Sequence, residues 1–432
     1  MRGGMIWRLA YTALLWLTAP FVLWRLWRRG GAEPGYRQSV GERFGRYECP
    51  ANDGTPVIWL HAVSLGETRA ARPLFELLKQ TYPSHRFLVT HMTATGYGAA
   101  RELFEGRAEF AWLPYDYPFA VRRFLNHFRP VVGILMETEV WFNLVHQCAN
   151  AGIPLLLANA RLSERSARQY EIVGSLARAA FSSLNAVAAQ SEDDSKRLRR
   201  LGARSVEVTG NLKFDVTCDA ALASLGSVFR DSYDGRPVLL AASTRDGEEQ
   251  LIFDAFKEIR IEGAVLVIVP RHPHRFASVE AILARSQLRY LKRSQGLRVG
   301  VDCSVVLGDS LGEMQAYYAA ADVAFIGGSL LPFGGQNLIE ACAQGVPVLI
   351  GSFTFNFADA AKAAVAEGAA RRVSDASDLM RKASTLLSND EERRAMGRAG
   401  KAFCEKHQGA TQRVAAIAVR LIGGVTSLPE GR

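Results

Sequence analysis

Several segments of this 432-residue chain carry polar side chains whose types and spacing could do chemistry. Ser64-Leu65-Gly66-Glu67 follows an apolar run and precedes the helix-like TRAARPLFELLKQ. S-x-x-E is a capping box, Ser64 as N-cap and Glu67 at the third helical position, and as such needs no further function. The same placement offers Glu67 as a general base, its basicity lowered and its ionised state favoured by the helix N-terminus. Met136-Glu137-Thr138-Glu139 ends the run VVGIL, and two carboxylates leaving a buried strand are costly unless paired or set in a cleft. At spacing i, i+2 they point the same way if the strand continues; acids decorating a helix N-terminus are the alternative. Lys213, in GNLKFD at 210–215, sits where a first domain would end and suits a phosphate, a carboxylate or plain solvent.

The second half carries a different set. Pro270-Arg271-His272-Pro273-His274-Arg275 follows AVLVIV, and Leu311-Gly312-Glu313-Met314 opens a helical pattern after SVVLGD. Gly327-Gly328-Ser329 and Gly334-Gly335-Gln336-Asn337-Leu338-Ile339-Glu340 frame a glycine-rich turn whose amides could approach a phosphate at the next helix N-terminus, with Glu340 accepting from ribose hydroxyls. GxGxxG with its downstream acid is absent from the first βαβ unit, which counts against a dinucleotide dehydrogenase. His272 and His274 lack a third ligand nearby, and the EDD at 192–194 precedes a basic helix instead of ending a strand. Six cysteines (49, 148, 218, 303, 342 and 404) show no CxxC or CxxH spacing, so no metal site is expected and a reducing compartment is.

The elements that must hold these residues alternate short apolar runs with amphipathic stretches. Runs at 57–62, 87–92, 131–136, 154–160 and 186–190, then at 238–243, 264–270, 304–309, 323–329 and 346–351, predict buried parallel strands. This is an α/β pattern of two doubly wound halves, and ligands of such sheets sit beyond the carboxyl ends of the strands, where all the segments above fall. The expected organisation is a membrane anchor at 1–30, a first Rossmann-like domain at 35–210, a linker at 211–236, a second such domain at 237–408 and a C-terminal helix at 409–432 that crosses back to the first domain.

Residues 5–27, MIWRLAYTALLWLTAPFVLWRLW, are long and apolar enough to span a bilayer, with a helix lying in the interface as the alternative. Arg25, Arg28 and Arg29 favour a cytoplasmic body. Because the βαβ pattern begins after residue 35, this segment is expected to be dispensable for folding. Fifty-two basic against forty-three acidic residues leave a net charge of +9, with 48% apolar content, which excludes a disordered chain. The arginines are scattered without an aromatic-interleaved groove, so an anionic substrate or membrane surface is expected and nucleic acid is not.

Taken in order, SLGE, METEVW, GNLKFD, PRHPHRF, LGEM and GGQNLIEACAQGVPVLIG resemble the 3-deoxy-D-manno-octulosonic acid (Kdo) transferases of lipopolysaccharide assembly. The resemblance runs from about Gly41 to Phe357 and includes GERFGRY at 41–47, ANARLSERS at 158–166 and TFNF at 354–357. It implies a GT-B fold, two Rossmann-like domains facing a cleft, and an inverting, metal-independent enzyme moving Kdo from CMP-Kdo to a lipid A precursor, lipid IVA, at the inner face of the inner membrane. By matching motifs, Glu67 corresponds to the base, Glu137 and Lys213 to groups that stabilise the transition state, and Pro270, Arg271, His272, Leu311, Gly312, Glu313, Asn337, Leu338, Ile339 and Glu340 to the CMP site. One departure is Gln336, where several members carry His.

Two other readings stay open on the residues alone. One is a GT-B transferase using a different nucleotide sugar, separated by donor identity. The other is a non-catalytic, membrane-tethered nucleotide or lipid binder, in which Glu67 is only a cap.

Overall fold

The computed structural model describes residues 2–215, 219–296 and 298–426. They form two compact units: unit 1 is Met1–Asp215 with Gln408–Arg432, and unit 2 is Val216–His407. Cys218 and the last six residues of the expected C-terminal helix lie outside the described residues.

Unit 1 opens with α1 (Arg2–Ala32). Its strands are β1 (Val57–His61), β2 (Arg86–His91), β3 (Glu109–Trp112), β4 (Pro130–Met136), β5 (Leu155–Ala160), β6 (Ala186–Ala189) and β7 (Val206–Val208). They pair in parallel in the order β3-β2-β1-β4-β5-β6-β7. The connecting helices are α2 (Leu65–Thr81), α3 (Ala94–Phe104), α4 (Pro118–Phe128), α5 (Phe142–Asn150), α6 (Glu164–Ile172), α7 (Gly174–Ser182) and α8 (Glu192–Arg200). Parallel strands need such crossovers, and helices on both faces bury β1 completely, which is why its sequence, VIWLH, does not alternate.

Unit 2 repeats the plan. Helix α9 (Ala220–Ser232) leads into β8 (Val238–Thr244), β9 (Val265–Pro270), β10 (Tyr290–Lys292), β11 (Val305–Leu307), β12 (Val323–Ile326), β13 (Val348–Ile350) and β14 (Ala370–Arg372). The order is β10-β11-β9-β8-β12-β13-β14, again all parallel. Helices α10 (Glu248–Glu258), α11 (Phe276–Ser286), α12 (Met314–Ala320), α13 (Ile339–Ala343), α14 (Ala358–Ala366), α15 (Ala376–Ser388) and α16 (Asp390–His407) complete it.

Helix α17 (Ala410–Thr426) belongs to unit 1. The Asp215 carboxylate accepts the amides of Gly409 at 2.7 Å and Thr411 at 2.5 Å, starting the helix, and Val414, Ile417, Ala418 and Ile422 enter the core formed by β1, β2, β4 and α2. The segment at 211–236 is therefore no free linker. Its first residues cap α17, while α9 packs so closely on α12 that a Cβ at Gly226 would stand 2.5 Å from that of Ala319. Nor is α1 detached, since Leu26 is buried on unit 1 and Gly30 under Arg37.

Candidate active site

Both sheets reverse their winding at one point. In unit 1 the chain runs β1, β2, β3 to one side and resumes at β4 on the other, so the crevice beyond β1 and β4 is where such a sheet accepts ligands. Glu67 and Glu137 stand on its two sides. Ser64 caps α2, its Oγ accepting from the Glu67 amide at 3.3 Å and donating to Glu67 Oε1 at 2.8 Å, while Glu67 Oε2 accepts from the Val63 amide at 2.8 Å. The capping box thus exists and fixes the carboxylate. It does not lower its pKa: burial above all, then the nearby Glu137 charge, push the Glu67 carboxyl from 4.5 up to about 7, against the hydrogen bonds from Val63 and Ser64. The expectation of a weakened base is corrected, because desolvation outweighs the helix terminus.

Strand β4 ends at Met136, and Glu137 takes a left-handed conformation, φ 55°. The strand does not continue, so the two carboxylates diverge. Glu137 accepts from Lys213 Nζ at 2.9 Å, and Glu139 accepts from Trp141 Nε1 at 2.9 Å. Burial raises the Glu139 carboxyl above its usual range. Neither acid enters the first turn of α5, which begins after Trp141. Lys213 lies on a 3-10 turn, Leu212–Phe214, held by Asn159 at the end of β5. Asn159 is also left-handed, φ 53°, and its Oδ1 accepts from the Leu212 amide at 3.0 Å. Sequence reading singled out the ANARLSERS stretch without this positioning role, and no local pattern marks it.

In unit 2 the reversal falls between β8 and β12, and the predicted segments lie beyond the carboxyl ends of β9, β11 and β12 along the same edge. Arg271 Nε donates to Gln336 Oε1 at 3.1 Å, joining the first segment to the glycine-rich turn. Burial and the surrounding Arg245, Arg271, His274 and Arg275 charges depress His272 to about 4, so this ring is neutral at pH 7. It stacks on His274 with ring centres 5.4 Å apart. A cationic neighbourhood of this kind disfavours a metal, and among the described residues no group of three or more His, Cys, Asp or Glu could hold one. Glu313 precedes the first turn of α12 without capping it and accepts from Arg293 at 3.1 Å and Ser310 at 2.5 Å; Leu311 beside it is exposed and Gly312 is left-handed. Pro270 closes β9 and is buried.

The glycine-rich turn departs from expectation. Glu248, fully buried at the start of α10, accepts from the amides of Arg245 at 2.9 Å, Gly328 at 2.6 Å and Leu330 at 3.0 Å. Its carboxylate occupies the amide nest expected to hold a phosphate. The amides of Gly335 and Gln336 bond back to Gly328 and Gly327, and that of Ile339 to Asn337. Leu338 and Ile339 are fully buried, so their side chains are core rather than lining. Glu340 Oε1 accepts from Asn337 Nδ2 at 2.9 Å. What the turn presents instead is cationic: Arg245, missed in the sequence, follows β8, lies over the Phe333 ring at 4.8 Å and borders Gly328. The signal was RDGEE directly after a strand, two consecutive acids that a buried helix start accepts only with partners.

Comparison with known proteins agrees with these elements. Residues 38–216 match the family of 3-deoxy-D-manno-octulosonic-acid transferases (kdotransferase), and residues 247–403 match glycosyl transferases group 1. The chain is 44% identical to a 3-deoxy-D-manno-octulosonic acid transferase of Bordetella pertussis, over 93% of this chain and 96% of that one. It is 36% identical to one of Haemophilus influenzae, over 95% and 97%. Among solved structures it resembles the S. aureus MnaA-UDP co-structure, with a TM-score of 0.59 at 15% identity over 88% of this chain and 100% of that one, a likeness of fold. The two parallel seven-stranded units thus have the GT-B glycosyltransferase architecture, and the chain belongs to the family of Kdo transferases.

Proposed function

We propose that this enzyme transfers Kdo from CMP-Kdo to the lipid A precursor lipid IVA, with inversion and without a metal, at the cytoplasmic face of the inner membrane. The observation that carries the chemistry is the Glu67 carboxyl, held by two hydrogen bonds at the β1/β4 crevice with its pKa raised to about 7. A base poised near the working pH combines ionised population with proton affinity. In this reading Glu67 takes the proton of the acceptor hydroxyl as that oxygen attacks the anomeric carbon, and CMP departs from the opposite face.

Lys213, fixed by Glu137, supplies positive charge to the sugar acid. In unit 2, Arg245 and Arg271 flank neutral His272 and stabilise the leaving phosphate, in place of the amide nest that Glu248 fills. Pro270, Leu311, Gly312, Glu313, Asn337 and Glu340 border the nucleotide in the same reading. Among the described residues one helix, Ile6–Gly31, is long and apolar enough to cross a membrane, and it supports placing the enzyme where its lipid acceptor resides. The net charge of +9 suits a donor and an acceptor that are both anionic.

The test is the product made with ready-made CMP-Kdo in the presence of EDTA. The expected result is undiminished transfer and inverted anomeric configuration by NMR. Retained configuration refutes the single-displacement mechanism, and activity restored only by Mg²⁺ refutes metal independence.

A further inference from the structure

One face of helix α1, carrying its few uncharged polar side chains, packs inward. Arg8, Tyr11, Thr12, Leu15, Thr18, Ala19, Val22, Leu26 and Gly30, a row at helical spacing, are buried or half-buried. Ile6, Leu9, Leu17, Phe21, Trp24 and Trp27 face outward with 54–79% of their surface exposed. A soluble helix does not leave so many large apolar side chains exposed.

Docking is specific and runs the length of the helix. Tyr11 Oη donates at 3.0 Å to Oδ2 of Asp116, a buried carboxylate that also accepts the amides of Asn143 at 2.9 Å and Leu144 at 2.8 Å at the start of α5. Asn143 Nδ2 donates to Thr12 Oγ1 at 3.2 Å, and Tyr117 Oη donates to the Leu15 carbonyl at 2.9 Å. Trp16 packs on Tyr117 and Phe119 with ring centres 4.9 and 5.7 Å apart. At the far end Arg37 donates to the Trp27 carbonyl at 2.8 Å and lies over the Trp27 ring.

A helix of 31 residues is roughly 46 Å long at 1.5 Å per residue. Were α1 to cross a hydrocarbon core of about 30 Å, the surface it lies on would cross with it. That surface carries charge: beside the helix runs a groove of about 500 Å³ in which Phe142, Leu176 and Ala179 alternate with Arg8 and Arg178. Charged groups there would lie in hydrocarbon at several kcal/mol each. The opposite face has no such conflict, being apolar, carrying tryptophans suited to an interface, and ending in exposed Arg25, Arg28 and Arg29 with no acidic residue on the helix.

The C-terminal end of α1 also leads to the site. In the turn that follows, Gly35 touches the start of α3 so closely that a Cβ would stand 3.0 Å from that of Ala94. Thr93, which caps α3, donates to the Val63 carbonyl at 2.6 Å, and the Val63 amide holds Glu67. We propose that α1 does not span the bilayer but lies in the plane of an anionic membrane surface, docked on unit 1 by the face that carries Tyr11 and Thr12, with its arginine end setting the Glu67 crevice at headgroup level. This rests on the membrane-associated reading above and deepens it.

The test uses the full chain, tagged at either terminus, in inner-membrane vesicles. A helix lying in the cytoplasmic interface leaves both tags open to protease in inside-out vesicles and both protected in right-side-out ones. Digestion of the N-terminal tag alone in right-side-out vesicles means a spanning helix and overturns the inference while leaving membrane association intact. Failure to sediment with vesicles overturns the membrane reading itself. With purified protein and phosphatidylglycerol vesicles, replacing Arg25, Arg28 and Arg29 by Gln should weaken partitioning roughly 10²-fold, and unchanged partitioning refutes the anionic-surface contact. Docking is tested by Tyr11→Phe and Asp116→Asn: non-additive effects on the melting temperature of vesicle-bound protein are expected, and strict additivity refutes the latch.

Discussion

Replacing Glu67 by Gln removes the titratable group and keeps its length. The Gln carbonyl can hold the Val63 amide and its NH2 can donate to Ser64 Oγ, so both 2.8 Å contacts have successors. The carboxyl pKa rises from 4.5 to about 7 in the folded protein. At about 1.4 kcal/mol per pH unit the ionised carboxylate costs folding at most about 3.5 kcal/mol, less what partial exposure screens. Because the folded state binds this proton more tightly than the unfolded chain, the associated stability is complete below about pH 4.5 and is lost as pH rises to about 7. Glu67→Gln lacks that loss and should melt at least as high as wild type at pH 8. Its kcat should fall by about 10²–10⁴-fold, with CMP affinity unchanged by calorimetry. Wild-type kcat should rise with pH and level off above about pH 7. A stable Glu67→Gln enzyme with full activity would refute the base assignment and leave the capping box as the entire role; Ser64→Ala should then still cost roughly 0.5–2 kcal/mol of stability.

Glu137→Gln removes the charge that helps raise the Glu67 pKa, so the midpoint of the residual pH–rate profile should move down; an unmoved midpoint would uncouple the two carboxyls. Arg271→Ala should weaken CMP binding by roughly 1.5–3 kcal/mol by calorimetry, and unchanged affinity would remove Arg271 from the nucleotide site. Glu248→Gln sets an NH2 against amides that need acceptors, so melting temperature and CMP affinity should fall together while the pH–rate midpoint stays at the wild-type value; a silent variant would refute its hold on the glycine-rich turn.

The strands legible in the sequence were the ones buried on both faces. The four that were not, β3, β7, β10 and β14, are the edges of the two sheets, short and carrying Glu109, Glu207, Lys292 and Arg371 where an inner strand carries Val or Leu. The segments at 64–67, 136–139 and 210–215 were legible because polar residues end apolar runs there. Their geometry was not, because it depends on positive φ at Glu137 and Asn159 and on desolvation that no local pattern encodes. The glycine-rich turn misled for a related reason: glycine marks close approach, and here the approaching anion is the protein's own Glu248. In α1, composition announced a membrane helix, whereas its mode of docking depends on partners more than a hundred residues away.

The most direct test of the central claim is mass spectrometry of the acceptor. Purified protein incubated with lipid IVA and CMP-Kdo should add Kdo to the lipid in whole sugar increments, and Glu67→Gln under the same conditions should leave the lipid mass unchanged over the same time. Lipid IVA that keeps its mass with active wild-type protein and intact donor, or that is modified equally by both proteins, would contradict the account.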